Sequence, residues 1–296
     1  MPKAEIGVIG GTGLYQMEEL QEVEEVSVKT PFGDPSDVIL IGRLGGRRVA
    51  FLARHGRGHR ISPSELPSRA NIFALKSLGV EWLISVNSAG SFREEIRPGD
   101  LVIPDQLIDR TKGRPSTFFE GELVAHISFA EPFCPVLSEV LYQAAEEAGA
   151  RVHRGGTFLI IEGPAFSTRA ESKLYRSWGA DIIGMTALPE AKLAREAEIC
   201  YASLAFATDY DSWLERLEPV NVETIISILA QNAEMARRII RLAVERVPNK
   251  RECECARALK NAIVTAPEFI PERLRKDLSL LIGKYLPSED QSDEGF

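Results

Sequence analysis

The chain has 296 residues, 44% of them hydrophobic and 26% charged, a composition that supports a large buried core. A net charge of −8 with no basic block argues against a nucleic-acid partner. No apolar run approaches the roughly 18 residues of a membrane helix, and the N-terminus MPKAEIGVIGG lacks a secretory pattern, so the expected location is the cytoplasm.

Residues 6–9 form a short apolar run stopped by Gly10-Gly11, the pattern of a buried strand and a turn. Residues 38–42 and 48–52 flank LGGR and read as a hairpin. Residues 68–78 carry Ile72, Leu75 and Leu78 at helical spacing, with Gly79 as C-terminal cap. Residues 82–86 predict another buried strand, running into the small-residue turn NSAGS. Strands follow at 101–103 and 158–161, and a helix at 135–148 begins with Pro135 and stops before Gly149. Helices at 169–178 and 189–197 lead to a strand at 200–207. Residues 222–246 predict a long helix ended by Pro248, and 271–286 a final amphipathic helix bearing Leu274, Leu278, Leu281, Ile282 and Tyr285. Residues 287–296, SEDQSDEGF and the residue before it, read as a disordered tail.

Strands alternating with helices, several of them apolar throughout, predict an α/β fold. It is a single domain over 1–286 with a mixed, largely parallel central β-sheet flanked by helices on both faces. Ligands in such folds gather at the carboxyl ends of strands. Four strand ends are chemically loaded. Gly10-Gly11-Thr12-Gly13 offers backbone N–H groups and the Thr12 hydroxyl to an anion, though it matches neither a P-loop nor a full dinucleotide fingerprint. Arg54-His55-Gly56-Arg57-Gly58-His59 gathers cations between glycines, and Arg suits a bidentate grip on phosphate oxygens. Asn87-Ser88-Ala89-Gly90-Ser91 presents donors without bulk. The fourth region combines Glu162–Thr168, Gly184-Met185-Thr186 and the pair Asp209/Asp211 in ATDYDSW. Phe166 and Met185 supply flat and flexible apolar surface for a planar base and a sugar. The two carboxylates, one residue apart, fall on the same side of an extended backbone, and a carboxyl with raised pKa is a candidate general acid. Each turn taken singly is equally a capped turn, a solvated loop or core. No metal ligand set is assigned, since the glycines around His55 and His59 disfavour a helical H-x-x-x-H pair.

The four cysteines default to reduced, buried thiols. Cys253-Glu-Cys255, in KRECECARALK, is open to three readings: a strained disulfide, a metal ligand pair, or neither.

Taken in order, GVIGGTGLY, TPFGDPSD, ARHGRGH, REEIRPGD, DQLIDRT with RPSTFF, AEPFCP, IEGPAFSTRAES, GADIIGMT with LPEAKLAREAEICYAS, and ATDYDSW resemble the purine nucleoside phosphorylase/5′-methylthioadenosine phosphorylase family over residues 5–245. Within it the chain looks like the methylthioadenosine phosphorylase branch. The resemblance implies attack of inorganic phosphate on C1′ of 5′-methylthioadenosine, giving adenine and 5-methylthioribose 1-phosphate, with no cofactor and no metal. It implies a phosphate cradle of Thr12, Arg54, His55, Asn87, Ser88 and Thr186. Phe166 would pack on the purine, Met185 under the ribose, and Ser167 would offer a base-site hydroxyl. Asp209 would bond N7 and the 6-amino group, supported by Asp211. An Asp accepts where the 6-oxopurine members' Asn donates, so it selects a 6-amino group.

The resemblance further implies that His126 approaches the 5′ end from a neighbouring subunit. Val222, Ile225 and Leu281 would line the methylthio pocket, Leu281 also from the neighbour, in a homotrimer or dimer of trimers. An apolar pocket has no strong means of rejecting a hydroxyl, so adenosine is expected to be a slower substrate. Gly184, where an Asn is common, leaves base selectivity open to a broad or 6-oxopurine enzyme. A non-catalytic purine-binding module and a dinucleotide-dependent dehydrogenase are the rival readings from other classes. In thermophilic members CEC forms disulfides, which implies oxidation of Cys253 and Cys255, with Cys134 and Cys200 as a second pair.

Overall fold

The structure, a computed structural model, describes residues 3–11, 14, 17, 19–214 and 222–286, with residues 222–227 and 229 described by their backbone alone. The strands are β1 (Ile6–Gly10), β2 (Gln21–Val26), β3 (Ile39–Leu44), β4 (Arg47–Ala53), β5 (Trp82–Ser91), β6 (Leu101–Ile103), β7 (Gln106–Arg110), β8 (Val152–Arg154), β9 (Thr157–Ile161), β10 (Ile182–Gly184) and β11 (Cys200–Asp209). The helices are α1 (Ser68–Ser77), α2 (Pro135–Glu147), α3 (Arg169–Ser177), α4 (Ala187–Glu196), α5 (Val222–Arg246), α6 (Glu272–Asp277) and α7 (Ser279–Ile282).

All these strands join one sheet in the order β2-β3-β4-β1-β5-β10-β9-β7, with β11 pairing β5 and β6, and β8 added to β6. The central pairs β1·β4, β1·β5 and β5·β11 are parallel, as are β9·β10, β7·β9 and β6·β8. The continuous apolar runs of β1, β5 and β11 follow from burial on both faces. Ile9 and Leu83 join the core beneath α1 and α4, while Val8, Trp82 and Ile84 join the core beneath α2 and α5. Alternate residues of one strand thus feed two cores.

The pairing of β5 decides where a ligand fits. Its first half pairs with β1 up to Ile9↔Ser85, and its end pairs with antiparallel β10 from Ile183↔Gly90. Between those registers Val86–Ala89 has strand β11 on one edge and a cleft on the other. The sheet splits there, as open α/β sheets do at their binding crevices.

Three expectations are corrected. NSAGS is not a turn: β5 runs through it, with Asn87, Ser88 and Ala89 in register with Ala205, Phe206 and Ala207. Small polar residues pair as well as apolar ones when β11 lies alongside. Residues 271–286 are not one helix but α6, α7 and a 3₁₀ turn at Gly283–Tyr285. The break falls at Leu278 (φ −104°, ψ 10°), where bending lets Leu278, Leu281 and Ile282 all reach the core. Asp209 and Asp211 do not alternate along an extended strand. A bulge interrupts the register between Ala207 and Asp209, and Asp211 has φ +48°. Strands β2, β7, β8 and β10 have no counterpart in the sequence-based elements. β2 is almost wholly exposed and its QEVEEV lacks an apolar face. The 287–296 tail lies outside the described residues.

Candidate active site

A cleft of about 520 Å³ opens at the split in the sheet. It is walled by the edge of β5, the ends of β10 and β11, the segment before α3, and α5. Of the residues singled out from sequence, Arg54, His55, Asn87, Ser88, Phe166, Ser167, Met185, Thr186, Asp209 and Asp211 line it. Thr12 lies outside the described residues, as do the side chains of Val222 and Ile225. His126 is exposed and stands apart from the cleft of its own chain. Leu281 is 2% exposed and packed in its own chain's core, away from the cleft lining.

At the base end, β11 carries Asp209 to its carboxyl terminus. The Asp211 backbone N–H donates to Asp209 Oδ1 (2.7 Å), and the Thr208 hydroxyl lies 2.7 Å from Oδ2. Those bonds, not strand alternation, bring the two acidic residues together. Trp213 locks the turn: its Nε1 donates to Ser91 O (2.7 Å), and the Arg176 guanidinium covers its ring at 4.2 Å. Gly90 is a requirement of this packing, because a Cβ there would meet Asp209 Oδ1 at 3.0 Å and Asp211 Cβ at 3.2 Å. Burial raises the pKa of Asp209, opposed by the Thr208 hydroxyl and the Asp211 N–H. Burial raises Asp211 too, opposed by Ser172 and reinforced by the Asp209 charge.

The segment facing these carboxylates is fixed by the start of α3. Thr168 caps the helix in a reciprocal capping box with Glu171, and Ser212 Oγ donates to Ser167 O (3.1 Å). Phe166 therefore stands 55% exposed on the cleft wall. A buried polar atom beside it, Ser167 Oγ, has no hydrogen-bond partner. Such atoms are rare in folded proteins, and Ser167 lines the cleft, which points to a polar ligand.

The other end differs from expectation in charge. Arg54 is buried and grips Glu190 on α4 through Nε and Nη2, with further bonds to Ser85 Oγ (2.8 Å) and Val86 O (3.0 Å). Its charge is thus met by a carboxylate within the protein. Arg57 pairs with Glu25 and Asp37. His55 is held neutral: burial lowers its pKa to about 4, and the Arg54 and His59 charges act in the same direction. Its Nδ1 lies 2.8 Å from Ile61 O, so the neutral ring carries its proton on Nδ1 and leaves Nε2 as acceptor. His59 stacks on it with centroids 4.2 Å apart. Asn87 is turned inward, its amide donating to Ser85 Oγ and Ser203 Oγ while Oδ1 accepts from Thr186 (2.8 Å). Ser88, by contrast, is exposed in the cleft.

Glu190 and Arg114 escaped the sequence reading. Arg114, from RPSTFF, donates to the carbonyls of Met185, Leu188 (2.8 Å), Ile161 (3.3 Å) and Glu162, joining the Met185–Thr186 segment to the Glu162 segment. Its partners lie 47 to 74 residues away along the chain, so no local pattern announces it.

Residues 5–245 match the model of the phosphorylase superfamily. The chain belongs to that family. It is 58% identical over 282 residues to the S-methyl-5′-thioadenosine phosphorylase of Geobacter sulfurreducens, covering 95% of this chain and 99% of that protein. It is 50% identical to the enzyme of that name from Thermofilum pendens, over 89% of this chain and all of the relative. Among solved structures, a methylthioadenosine phosphorylase from an antarctic soil metagenomic library superposes with a TM-score of 0.91 at 47% identity, covering 95% and 99% of the two chains. A Schistosoma mansoni adenosine/methylthioadenosine phosphorylase mutant in complex with methylthioadenosine superposes at 0.78 with 37% identity, over 84% and 93%. This phosphorylase fold carries its cleft at the split of the sheet, and no helix among its described residues is long and apolar enough to cross a membrane.

Proposed function

We propose that this chain cleaves the N-glycosidic bond of 5′-methylthioadenosine with inorganic phosphate, releasing adenine and 5-methylthioribose 1-phosphate. The observation that carries the reading is Asp209: a cleft-lining carboxylate with raised pKa, backed by Asp211 and facing an exposed Phe166. The relatives of that name over nearly the whole chain support it.

In this reading the purine stacks on Phe166 and the ribose lies against Met185. Asp209 accepts the 6-amino N–H and bonds N7, where negative charge develops as adenine leaves. A carboxyl with raised pKa delivers a proton there more readily than an ordinary one. Ser167 Oγ gains in the complex the partner it lacks without it.

Phosphate binds at the Ser88–Thr186 end, beside Gly11 and His55. There HPO₄²⁻ meets the neutral Ser88 hydroxyl as donor, and its P–OH donates to Nε2 of neutral His55. Arg54, held by Glu190, contributes its field and the placement of β5, while Asn87 orients the Thr186 hydroxyl. The phosphate oxygens face a ribosyl centre that gains positive charge as the bond stretches, so proximity and electrostatics supply the acceleration. Phosphate is a co-substrate, and no cofactor enters any step.

His126 is presented to solvent on a fixed backbone, with its N–H donating to Ala262 O (2.8 Å) and Ala125 bridged to Ile263. This placement supports its delivery to the 5′ end of a neighbouring subunit's cleft in a homo-oligomer. The test is base release from methylthioadenosine with and without phosphate, with inosine in parallel. Phosphate-dependent adenine release with inosine inert is expected. Release that ignores phosphate overturns the reaction, and equal use of inosine overturns the role of Asp209 in selectivity.

A further inference from the structure

The four cysteines lie at the far end of β11 from the cleft. Cys200 opens that strand and Asp209 closes it, about 30 Å away at the rise of an extended chain. The sequence reading assigned no metal to the chain, and its resemblance implied two disulfides. In the structure the four cysteines, drawn from three separate segments, are not joined by S–S bonds. Cys134 is the N-cap of α2, with its N–H donating to Tyr201 O (2.8 Å). Cys200 is anchored by its own N–H on Glu81 O (2.9 Å). Cys253 and Cys255 arrive on the segment that Arg251 ties to Glu198 O and Glu81.

All four Sγ atoms lie within 4.8 Å of one another. Cys253 Sγ is 3.3 Å from Cys200 Sγ and 3.7 Å from Cys134 Sγ. A disulfide demands about 2.05 Å and one exclusive partner for each sulfur. Here one sulfur stands about equally close to two others. A tetrahedral Zn²⁺ with Zn–S bonds of about 2.3 Å sets its sulfurs about 3.8 Å apart. Cys134, Cys200 and Cys255 are buried and Cys253 is half-buried, so the cluster is closed, as structural zinc sites are.

The surroundings suit an anionic centre. The N-terminus of α2 begins at Cys134, and the buried Arg195 guanidinium lies within electrostatic reach of Cys255. We propose that Cys134, Cys200, Cys253 and Cys255 form a tetrathiolate site for a structural Zn²⁺. Binding replaces four S–H protons by four Zn–S bonds and needs no oxidant or reductant. Its role is to clasp the C-terminal segment, which packs Leu278, Leu281 and Ile282 into the core, onto the base of the central strands.

The experiment is metal analysis of the full chain, made in a reducing cytosol and purified without chelator. About one zinc per chain is expected, retained through gel filtration, with Cys253→Ser/Cys255→Ser lowering it below about a tenth. That variant should melt at a lower temperature yet keep the wild-type kcat for phosphorolysis well below its melting point. Should it fail to fold, the wild-type chain answers alone. Stripped, reduced and given Co²⁺, it should develop the intense visible bands of a tetrahedral thiolate site and lose them to one equivalent of Zn²⁺. A reduced chain that takes up neither ion overturns the proposal. So do disulfides found by mass in metal-free protein as isolated, iron in place of zinc, or zinc content unchanged in the double variant.

Discussion

Arg54 and Glu190 are buried against each other beneath the cleft, with Nη2 3.1 Å from Oε2 and Nε bonded to Oε1. The pair joins the end of β4 to α4 and holds the guanidinium against Val86 O on β5. Removing one member strands the other charge in the interior, which costs about 3–5 kcal/mol. Glu190→Ala should therefore lower the unfolding free energy by about that amount in urea titrations. Glu190→Gln, which keeps part of the bonding, should cost less. A loss below about 1 kcal/mol in Glu190→Ala would show that the pair is not the anchor described.

Asp209→Asn keeps the shape of the side chain and removes the acid. General acid catalysis contributes about 10²- to 10⁴-fold, so kcat/KM for methylthioadenosine should fall in that range. Phosphate affinity should hold. The new amide donor should at the same time raise the ratio of inosine to methylthioadenosine turnover. The Thr208 hydroxyl sharpens the expectation, because it has one proton and two neighbours, Asp209 Oδ2 at 2.7 Å and Ala89 O at 3.2 Å. Whenever that proton goes to Ala89, Asp209 contacts Thr208 only as the acid. Near-normal turnover by Asp209→Asn would rule out the acid role.

Phe166 separates binding from stability. At 55% exposure it adds little to the core, so Phe166→Ala should leave the melting temperature nearly unchanged. Base stacking on an aromatic ring is worth about 1–3 kcal/mol, so KM for the nucleoside should rise about 5- to 150-fold. An unchanged KM would move the base elsewhere in the cleft.

Stability against pH carries opposed contributions, of which His55 and Glu196 mark the two signs. The folded His55 pKa of about 4 lies below its ordinary value of 6.5. The unfolded chain therefore takes up a proton first, and this contribution is present above pH 6.5 and lost as pH falls toward 4. Glu196, buried behind Phe118, is raised from 4.5 to about 7. Its contribution is present below pH 4.5 and lost as pH rises through 7. Between 4.5 and 6.5 the two slopes oppose, each spanning on the order of 3 kcal/mol. In the wild type the His55 slope offsets part of the opposite slope there. His55→Gln should leave the buried acids Glu196, Asp209 and Asp211, all raised, so stability should fall more steeply as pH rises. A His55→Gln profile with the same slope as the wild type's would remove His55 as the neutral group of the phosphate end.

The chemistry-bearing turns were legible because each follows an apolar run ended by glycine or by small residues. ARHGRGH, IEGPAFST and ATDYDSW stand out from the strands before them by composition alone. Their convergence on one cleft was not legible, and neither were the bonds that tune them. Glu190 carries no signal in the sequence, and only the fold sets it against Arg54. His55 and Arg57 read as cations until burial neutralises one and Glu25 with Asp37 engages the other. Leu278, Leu281 and Ile282 read as one face of a continuous helix, and only the break at Leu278 shows how all three reach the core.

The sequence by itself determined the alternating elements, the apolar central strands and the residue types at the strand ends. These follow from local propensity and from period, which need only near neighbours along the chain. The tertiary structure alone decided which groups are buried, which charges meet and where four sulfurs converge. Each of those depends on separations across space between residues tens of positions apart, and burial acts on a charge only once the fold has excluded water.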